Sequence, residues 1–346
     1  MKKIKIAIIG ASGAVGKEII KILEEESVIQ NIEEIIPIAS KRNANKKINY
    51  KNKVFHIQEL NENIFNEKNI DIAFFSAGSE ISKNFVPFAL KNKILVIDNT
   101  SYFRMDENTP LVVPEVNEKE IFKNRGIISN PNCSTIQLVQ VLNPLHENIK
   151  IKRVDVSTYQ AVSGAGSRGV VSLINETKEI MEGIESRGNS IFPHRIGFNL
   201  IPHIDVFLNN SYTKEEMKLV NETHKIMNVS FEISATCVRV PIIRSHSESI
   251  SIKFNRKTNA NEVKEILKNA KNIKLIDNVE NNEYPMPYIA DSTDYTYVGR
   301  IREDNFDKRI IHLWCVADQL RVGAATNALK IAKIHLFKNS IKKLNL

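Results

Sequence analysis

Short apolar runs alternate with helical spacing through the first third of the chain. IKIAIIG, IIPIAS, IDIAFFSAG, ILVIDNTS and GIISN are brief and continuously apolar, whereas AVGKEIIKILEEE, between the first two, repeats its apolar residues at helical intervals. From residue 4 to about 130 this rhythm predicts a parallel sheet covered by helices. A helix is expected from about Ser134 to His146, and the character then changes at IKRVDVSTYQAV. Long alternating segments follow, FEISATCVRVPIIRSHSESISIKF and KRIIHLWCVADQL, separated by helical stretches near 213–227 and 260–270. They predict a second domain built on a mixed, largely antiparallel sheet. A last helical pattern runs from about Ala324 to Lys338, and the Asn- and Lys-rich stretches 41–53 and 271–283 read as solvated loops.

Composition narrows the class without choosing a function. The chain has 346 residues, 42% hydrophobic and 25% charged, enough apolar material for two cores and too much for a disordered tail protein. Lys and Arg number 48 against 40 Asp and Glu, a formal charge of +8 that lacks any recognition motif or basic stripe interleaved with aromatics. Nucleic-acid binding is therefore not expected. Most of the cations lie on helical faces and loops such as KKINYKNK and KNSIKKLNL, as a general bias toward Lys, Asn and Ile would place them. The first apolar run ends in a glycine turn and reads as a strand rather than a signal peptide, and no stretch approaches a membrane span. A cytoplasmic protein is expected. Cys133, Cys237 and Cys315 are too few and too widely spaced for a disulfide framework or a zinc site, so reduced thiols and no metal are expected.

Gly10, Gly13 and Gly16 form GASGAVG directly after a strand and at the start of a helix. Glycines so placed let the backbone turn tightly and approach a pyrophosphate, with helix N-terminal amides facing the phosphate; the alternative is a plain tight turn. The second strand ends in Ser40-Lys41-Arg42, where an NAD-preferring protein usually carries an acidic residue for the ribose. Hydroxyl and cationic groups there suit a 2′-phosphate and favour NADP, against the alternative of a solvated basic loop.

Cys133, in SNPNCST, stands where a strand gives way to the helical pattern TIQLVQVL. The positive end of a helix dipole and its free amides favour a thiolate, which makes Cys133 the candidate nucleophile, while Cys237 and Cys315 sit within apolar strands as core thiols. A general acid or base must accompany a thiolate. Among eight histidines, His246 stands out at a polar interruption between two strand-like runs, with His194 and His203 as competitors near prolines and glycines.

GASGAVG, SYFRMDENTPLVVPEVN, SNPNCST, YQAVSGAGSRG, FNLIPHID, EEMKLVNETHKI, RVPIIRSHSES and DQLRVGAATNAL together resemble the aspartate-β-semialdehyde dehydrogenases, nearly end to end and in the right order. The resemblance implies a Rossmann-type NADP-binding domain over 1–132, completed by the C-terminal helix 324–346, and an α+β catalytic and dimerisation domain over 133–323. It implies NADPH-dependent reduction of aspartyl-β-phosphate to the semialdehyde with release of phosphate, in lysine, threonine, methionine and diaminopimelate biosynthesis. The expected assembly is a homodimer or homotetramer.

Residue by residue, Cys133 resembles the nucleophile that forms the acyl-thioester, His246 the acid/base, and Gln160 the glutamine that orients bound substrate. Arg239 resembles the arginine gripping the substrate's α-carboxylate, and Glu215 the carboxylate facing its ammonium. Arg104, Asn132 and Lys218 resemble the phosphate site. Gly10, Ser12, Gly13, Ala14, Val15, Gly16, Ser40, Arg42, Asn43, Ser76, Ser163, Gly164 and Gln319 match cofactor-binding positions. Aspartyl phosphate carries a carboxylate, an ammonium and a phosphate dianion, so a cationic fork, a carboxylate and further cations are the groups it requires. Asn43-Ala44-Asn45 departs from the usual serine and nearby glycine, which puts NADP selectivity in question. The rival readings are N-acetylglutamyl-phosphate reductase, whose cysteine surroundings differ from NPNCST, and a catalytically inactive NADP-binding homologue, which would be expected to lose the cysteine or histidine that this chain keeps.

Overall fold

A computed structural model describes residues 3–25, 29–184 and 191–344, with side chains to residue 337. Glu26 of the first helical pattern, the side chains of KNSIKKLNL beyond Phe337, and residues 345–346 lie outside it. The chain divides into two compact units, one comprising 1–132 and 324–346 and the other 133–323.

The first unit carries strands β1 (Ile4–Ile9), β2 (Ile32–Ala39), β3 (Lys47–Tyr50), β4 (Lys53–His56), β5 (Gln58–Glu59), β6 (Ile72–Phe75), β7 (Leu95–Asp98) and β8 (Ile127–Ser129). Six of them form a wholly parallel sheet in the order β5-β2-β1-β6-β7-β8. Because successive side chains on a strand point to opposite faces, a continuously apolar strand needs cover on both. Ile6 and Ile8 of β1, with Phe74 and Ile97, enter one core together with Ile19 and Leu23 of the Ala14–Glu25 helix. Ala328, Leu329 and Ile331 of the Thr326–Leu344 helix complete that core. Ala7 and Ile9, with Ala73 and Phe75, enter the other core with Val86 and Ala89 of the Ser79–Lys91 helix. Here the solvated-loop reading of 41–53 is corrected: Lys41–Asn43 form a single tight turn, and β3 pairs with β4 as an antiparallel hairpin. The alternation of β3 (Lys47, Ile48, Asn49, Tyr50) spans only four residues among Lys- and Asn-rich neighbours, too short a run to read as a strand.

The strand order reverses about β1 and β6, the crevice where open parallel sheets bind ligands. The glycine turn follows β1 at that place. Gly10 has φ +92°, and a β-carbon on it would meet the Ser76 carbonyl oxygen at 2.7 Å; a β-carbon on Gly16 would collide with the Gly10 carbonyl oxygen. These glycines are demanded by sterics.

The second unit contains β9 (Ile151–Gln160), β10 (Glu232–Arg239), β11 (His246–Phe254), β12 (Ile273–Leu275), β13 (Thr296–Glu303) and β14 (Ile310–Ala317). The sheet order is β10-β9-β11-β14-β13-β12, with parallel pairs at the two edges and antiparallel pairs between. β12 lies inside 271–283, so that stretch is not wholly loop. Val154, Val156, Ile250, Ile252 and Leu313 project from the sheet into one core with Leu138, Leu142 and Leu145 of the Cys133–Ile149 helix. Leu219 of the Lys214–Met227 helix and Val263 of the Ala260–Lys268 helix close it. Active-site candidates occupy the same sheet face, at the strand ends where the apolar residues give way.

Gly10→Ala is expected to lower the unfolding free energy by about 1–3 kcal/mol, from a strained backbone and a carbonyl clash. Urea denaturation checks this; a loss below about 0.5 kcal/mol would mean the turn relaxes freely.

Candidate active site

Three strand ends and two helix starts of the second unit converge on one small region. Gln160 is the last residue of β9, Arg239 the last of β10 and His246 the first of β11, and all three are almost wholly buried. Cys133 opens the Cys133–Ile149 helix and remains partly accessible. Glu215 stands in the first turn of the Lys214–Met227 helix, whose start is fixed by a capping box. There Thr213 Oγ1 accepts from the Glu216 amide (3.2 Å), and Glu216 Oε2 accepts from the Thr213 amide (2.7 Å).

The carboxylate of Glu215 accepts from Gln160 Nε2 at 3.2 Å and from Lys218 Nζ at 3.0 Å, so residues three apart on the helix do share a face. Lys218 Nζ also donates to Asp205 Oδ2 at 2.8 Å. Burial works against the Lys218 charge, but Glu215 and Asp205 outweigh it and hold its pKa above the ordinary lysine value. Gln160 Oε1 accepts from Thr158 Oγ1 at 2.9 Å, which fixes the amide orientation.

Arg239 is 6% exposed, and its guanidinium donates through Nη1 to the Ala161 carbonyl oxygen at 2.7 Å. Among the described residues no carboxylate forms an ion pair with it. Burial pushes its pKa down, opposed by the negative charges of Glu215 and of Cys133 as thiolate. A buried cation left in this state lacks a partner whose absence costs about 3–5 kcal/mol.

The ring of His246 is oriented by the main chain. Its Nδ1 accepts from the Ala161 amide at 3.1 Å, so in the neutral ring the proton resides on Nε2. Nε2 is buried and has no hydrogen-bond partner among the described residues. Burial first, and the nearby Arg239 cation second, push the His246 pKa down to about 3, which keeps the imidazole neutral at physiological pH. An ideal β-carbon on Gly164 would stand 3.1 Å from Arg239 Nη1 and 3.4 Å from His246 Nε2. The bare side of Gly164 therefore leaves open the space that both donors face. Gly323 does the same for the nucleophile: a β-carbon there would come within 2.8 Å of Cys133 Cβ.

Of the competing histidines, His194 is exposed and the ring of His203 stacks on Phe207 at 4.2 Å. Cys237 and Cys315 are fully buried, and burial raises both thiol pKa values. Ser163 and Gln319 are buried and bonded to each other, with Gln319 Nε2 donating to Ser163 Oγ at 2.5 Å.

In the first unit, Ser12, Ala14 and Val15 are half-buried around the exposed Gly13. Ser76 Oγ accepts from Asn99 Nδ2 at 2.9 Å. Ser40, Lys41 and Arg42 are exposed, and among the described residues no carboxylate pairs with the two cations. Asn43 Oδ1 accepts from Lys46 Nζ at 2.6 Å, so its side chain is partly committed. Arg104 is buried and donates to the Asn130 and Asn99 carbonyl oxygens at 3.0 and 2.8 Å. Asn132, also buried, is the last residue before Cys133. The strand–turn–helix and its steric demand for glycine fit a dinucleotide pyrophosphate. Among the described residues no cluster of His, Cys, Asp or Glu could hold a metal, and no helix is long and apolar enough to cross a membrane.

Glu248 escaped the reading of the sequence. It lies two residues along β11 from His246, on the same face and fully buried, and among the described residues neither carboxyl oxygen has a partner in good hydrogen-bond geometry. Period-two alternation through HSESI was the available signal. Gln137 faces it from the Cys133–Ile149 helix, and Cys315 and Thr158 oppose it on the adjacent strands.

The chain matches the family described as "Semialdehyde dehydrogenase, NAD binding domain" over residues 5–124 and that described as "Semialdehyde dehydrogenase, dimerisation domain" over 142–322. It is 52% identical over 335 residues to an aspartate-semialdehyde dehydrogenase of Campylobacter jejuni, covering 96% of this chain and 97% of that one. The crystal structure of aspartate semialdehyde dehydrogenase II from Vibrio cholerae, complexed with ASA, superposes with TM-score 0.92 at 40% identity, covering 97% and 99% of the two chains. A Candida albicans aspartate semialdehyde dehydrogenase solved with NADP gives TM-score 0.75 at 25% identity over 98% and 99%.

Burial raises the Glu248 pKa well above its ordinary value of 4.5, so the folded state holds a proton that the unfolded chain releases above that pH. Stability is thereby lost as pH rises from 4.5. Glu248→Gln is expected to melt at a higher temperature than the parent at pH 8, the gap closing toward pH 4.5. Thermal unfolding across that range decides it; an offset independent of pH would remove the buried-acid account.

Proposed function

The chain belongs to the aspartate-semialdehyde dehydrogenase family, and from that footing we propose that it reduces aspartyl-β-phosphate to aspartate-β-semialdehyde with NADPH, releasing phosphate. The observation that carries the substrate reading is Arg239: a buried guanidinium with no carboxylate partner among the described residues, beside Gly164, His246 Nε2 and the Glu215–Gln160 pair. An amino acid activated at its side-chain carboxyl supplies what this arrangement lacks. Its α-carboxylate meets the Arg239 fork, and its ammonium meets Glu215, with Gln160 orienting the chain between them. Lys218 in the second unit, and Arg104 and Asn132 in the first, take the proposed role of binding phosphate oxygens.

Cys133, as thiolate, attacks the acyl carbon. A carbon–sulfur bond forms, the carbon–oxygen bond to phosphate breaks, and its electron pair leaves with the phosphate. The chemistry that a bound reduced nicotinamide supplies is hydride, delivered to the resulting thioester carbonyl. The carbon–sulfur bond then breaks and its electron pair returns to Cys133, which ends the cycle as it began. His246 performs the donor half of an acid/base role: its Nε2 proton stabilises the acyl oxygen as charge develops there. A neutral ring with Nδ1 tied to the Ala161 amide is suited to that role.

The glycine turn at Gly10, Gly13 and Gly16, with Ser12, Ala14 and Val15, is proposed to hold the pyrophosphate, with Ser76, Ser163, Gly164 and Gln319 as further cofactor contacts. Exposed Ser40 and Arg42, with Asn43, support NADP over NAD. A homodimer is proposed from the dimerisation-domain match, with a homotetramer the larger alternative. Retention of both Cys133 and His246 speaks against an inactive homologue.

Phosphate-dependent NADP reduction with aspartate semialdehyde, run against N-acetylglutamate semialdehyde, tests the reading; no turnover of the first substrate overturns it. Cys133→Ala is expected to cut turnover by more than about 10³-fold while leaving NADP binding intact. Replacing NADP by NAD in the same assay is expected to raise the cofactor KM at least tenfold, about 1.4 kcal/mol of lost 2′-phosphate contact; a lower KM for NAD would reverse the cofactor assignment.

A further inference from the structure

The segment FNLIPHID carries none of the residues given a role above, yet it is laced to two of the elements that supply them. At one end Ile201 bridges Arg239, each amide donating to the other's carbonyl oxygen, at 3.0 Å from Ile201 and 2.8 Å from Arg239. Just past its other end, the Val206 carbonyl oxygen accepts from the Lys214 amide at 2.9 Å, and Phe207 bridges Thr213, the cap of the Lys214–Met227 helix. Asp205 stands between these ties with φ +68°, a left-handed backbone that aspartate tolerates when its short side chain bonds locally. Its Oδ1 does so, accepting from the Val206 amide at 2.8 Å. That leaves Oδ2, which accepts from Lys218 Nζ at 2.8 Å.

Lys218 is thereby shared between two carboxylates, the buried Glu215 at 3.0 Å and the more exposed Asp205. An ion pair between partly exposed groups adds little to stability, so holding the fold is a poor account of the Asp205 contact. Charge gives a better one. Glu215 and Lys218 alone would cancel, and an ammonium arriving at Glu215 would have to displace the lysine. With Asp205 the group of three has two negative charges against one positive, a surplus that one incoming ammonium neutralises. Lys218 then keeps a carboxylate of its own while the substrate takes Glu215. An ammonium has three N–H donors, so Lys218 moored to Asp205 still has donors for a phosphate oxygen.

We infer that Asp205 is a positioning residue for Lys218, supplying the carboxylate that the lysine keeps when the amino group of the substrate binds Glu215. This rests on the reading of the site given above and extends it to a residue that touches neither substrate nor cofactor in that reading. Asp205 acts on selection of an amino-bearing substrate rather than on acyl transfer, because Cys133 and His246 are not among its partners.

The test uses the full chain with aspartate semialdehyde, phosphate and NADP. Asp205→Asn keeps the size and the tolerance of a left-handed backbone but removes the charge. It is expected to raise the KM for aspartate semialdehyde about tenfold, the effect of one weakened charge-assisted hydrogen bond, with kcat within about threefold and the NADP dissociation constant within about twofold of the parent. Succinate semialdehyde, the same molecule without the amino group, should inhibit parent and variant with constants within about twofold of each other. In a Lys218→Met background Asp205→Asn should cost nothing further, since no lysine competes for Glu215, whereas a residue that only shapes the loop would cost as much in either background. Asp205→Glu should recover part of the loss. The Nζ 15N resonance of Lys218, assigned by its absence in Lys218→Met, should shift in Asp205→Asn whether or not the protein turns over this substrate, which separates failure of the inference from failure of the substrate reading. If Asp205→Asn does not fold, Asp205→Gly takes its place in every measurement. An unchanged semialdehyde KM, an unmoved Nζ resonance, equal losses for the two semialdehydes, or an undiminished loss without Lys218 would overturn the inference.

Discussion

Arg239 sets the terms for everything around it. A guanidinium can be kept 6% exposed with one carbonyl partner only if the surrounding chain supplies other compensation or awaits an anion. Burial first, and the same cation second, press His246 toward the neutral form, so the donor character of the imidazole and the anion-binding role proposed for the arginine share one buried setting. Glu215 is drawn into the balance as well, partly offsetting the burial of Arg239 while holding Lys218 charged. Removing any of these groups alters the protonation of the rest, which is how coupled sites behave in a low dielectric.

Sterics supply what electrostatics cannot. At Gly10 and Gly16 a side chain would strike main-chain oxygen, so the turn after β1 exists only in its bare form. At Gly164 and Gly323 the neighbours a side chain would press on are catalytic candidates, Arg239 and His246 in one case and Cys133 in the other. The first pair of glycines shapes a path for the main chain. The second pair protects free volume next to reactive atoms, a different use of the same residue.

Legibility in the sequence follows the range of the interactions. The parallel sheet was readable because its strands are apolar on both faces, and Cys133 because the change from strand to helix occurs within a few residues. The Glu215–Lys218 pair was readable from helical spacing. The hairpin of β3 and β4 was not, since its strands are short and mostly exposed. Nor could sequence reveal the bond between Ser163 and Gln319, which lie 156 residues apart, or the left-handed backbone of Ser245. Glu248 is the instructive miss: alternation from His246 places it inward, but a carboxylate in a polar-looking HSES segment invites a solvated reading.

The three cysteines end up in unequal positions. Cys237 and Cys315 are sealed within the sheet, and their burial disfavours the thiolate that any electrophile must meet. Cys133 alone combines access with a helix N-terminus. The protein thus presents one addressable sulfur without engineering. An electrophilic warhead or a fluorescent tag would join the chain with a stoichiometry of one, at the atom where acyl transfer is proposed to occur. On the proposed function, bound phosphate or substrate analogue would protect it, and the rate of labelling would gauge how full the site is.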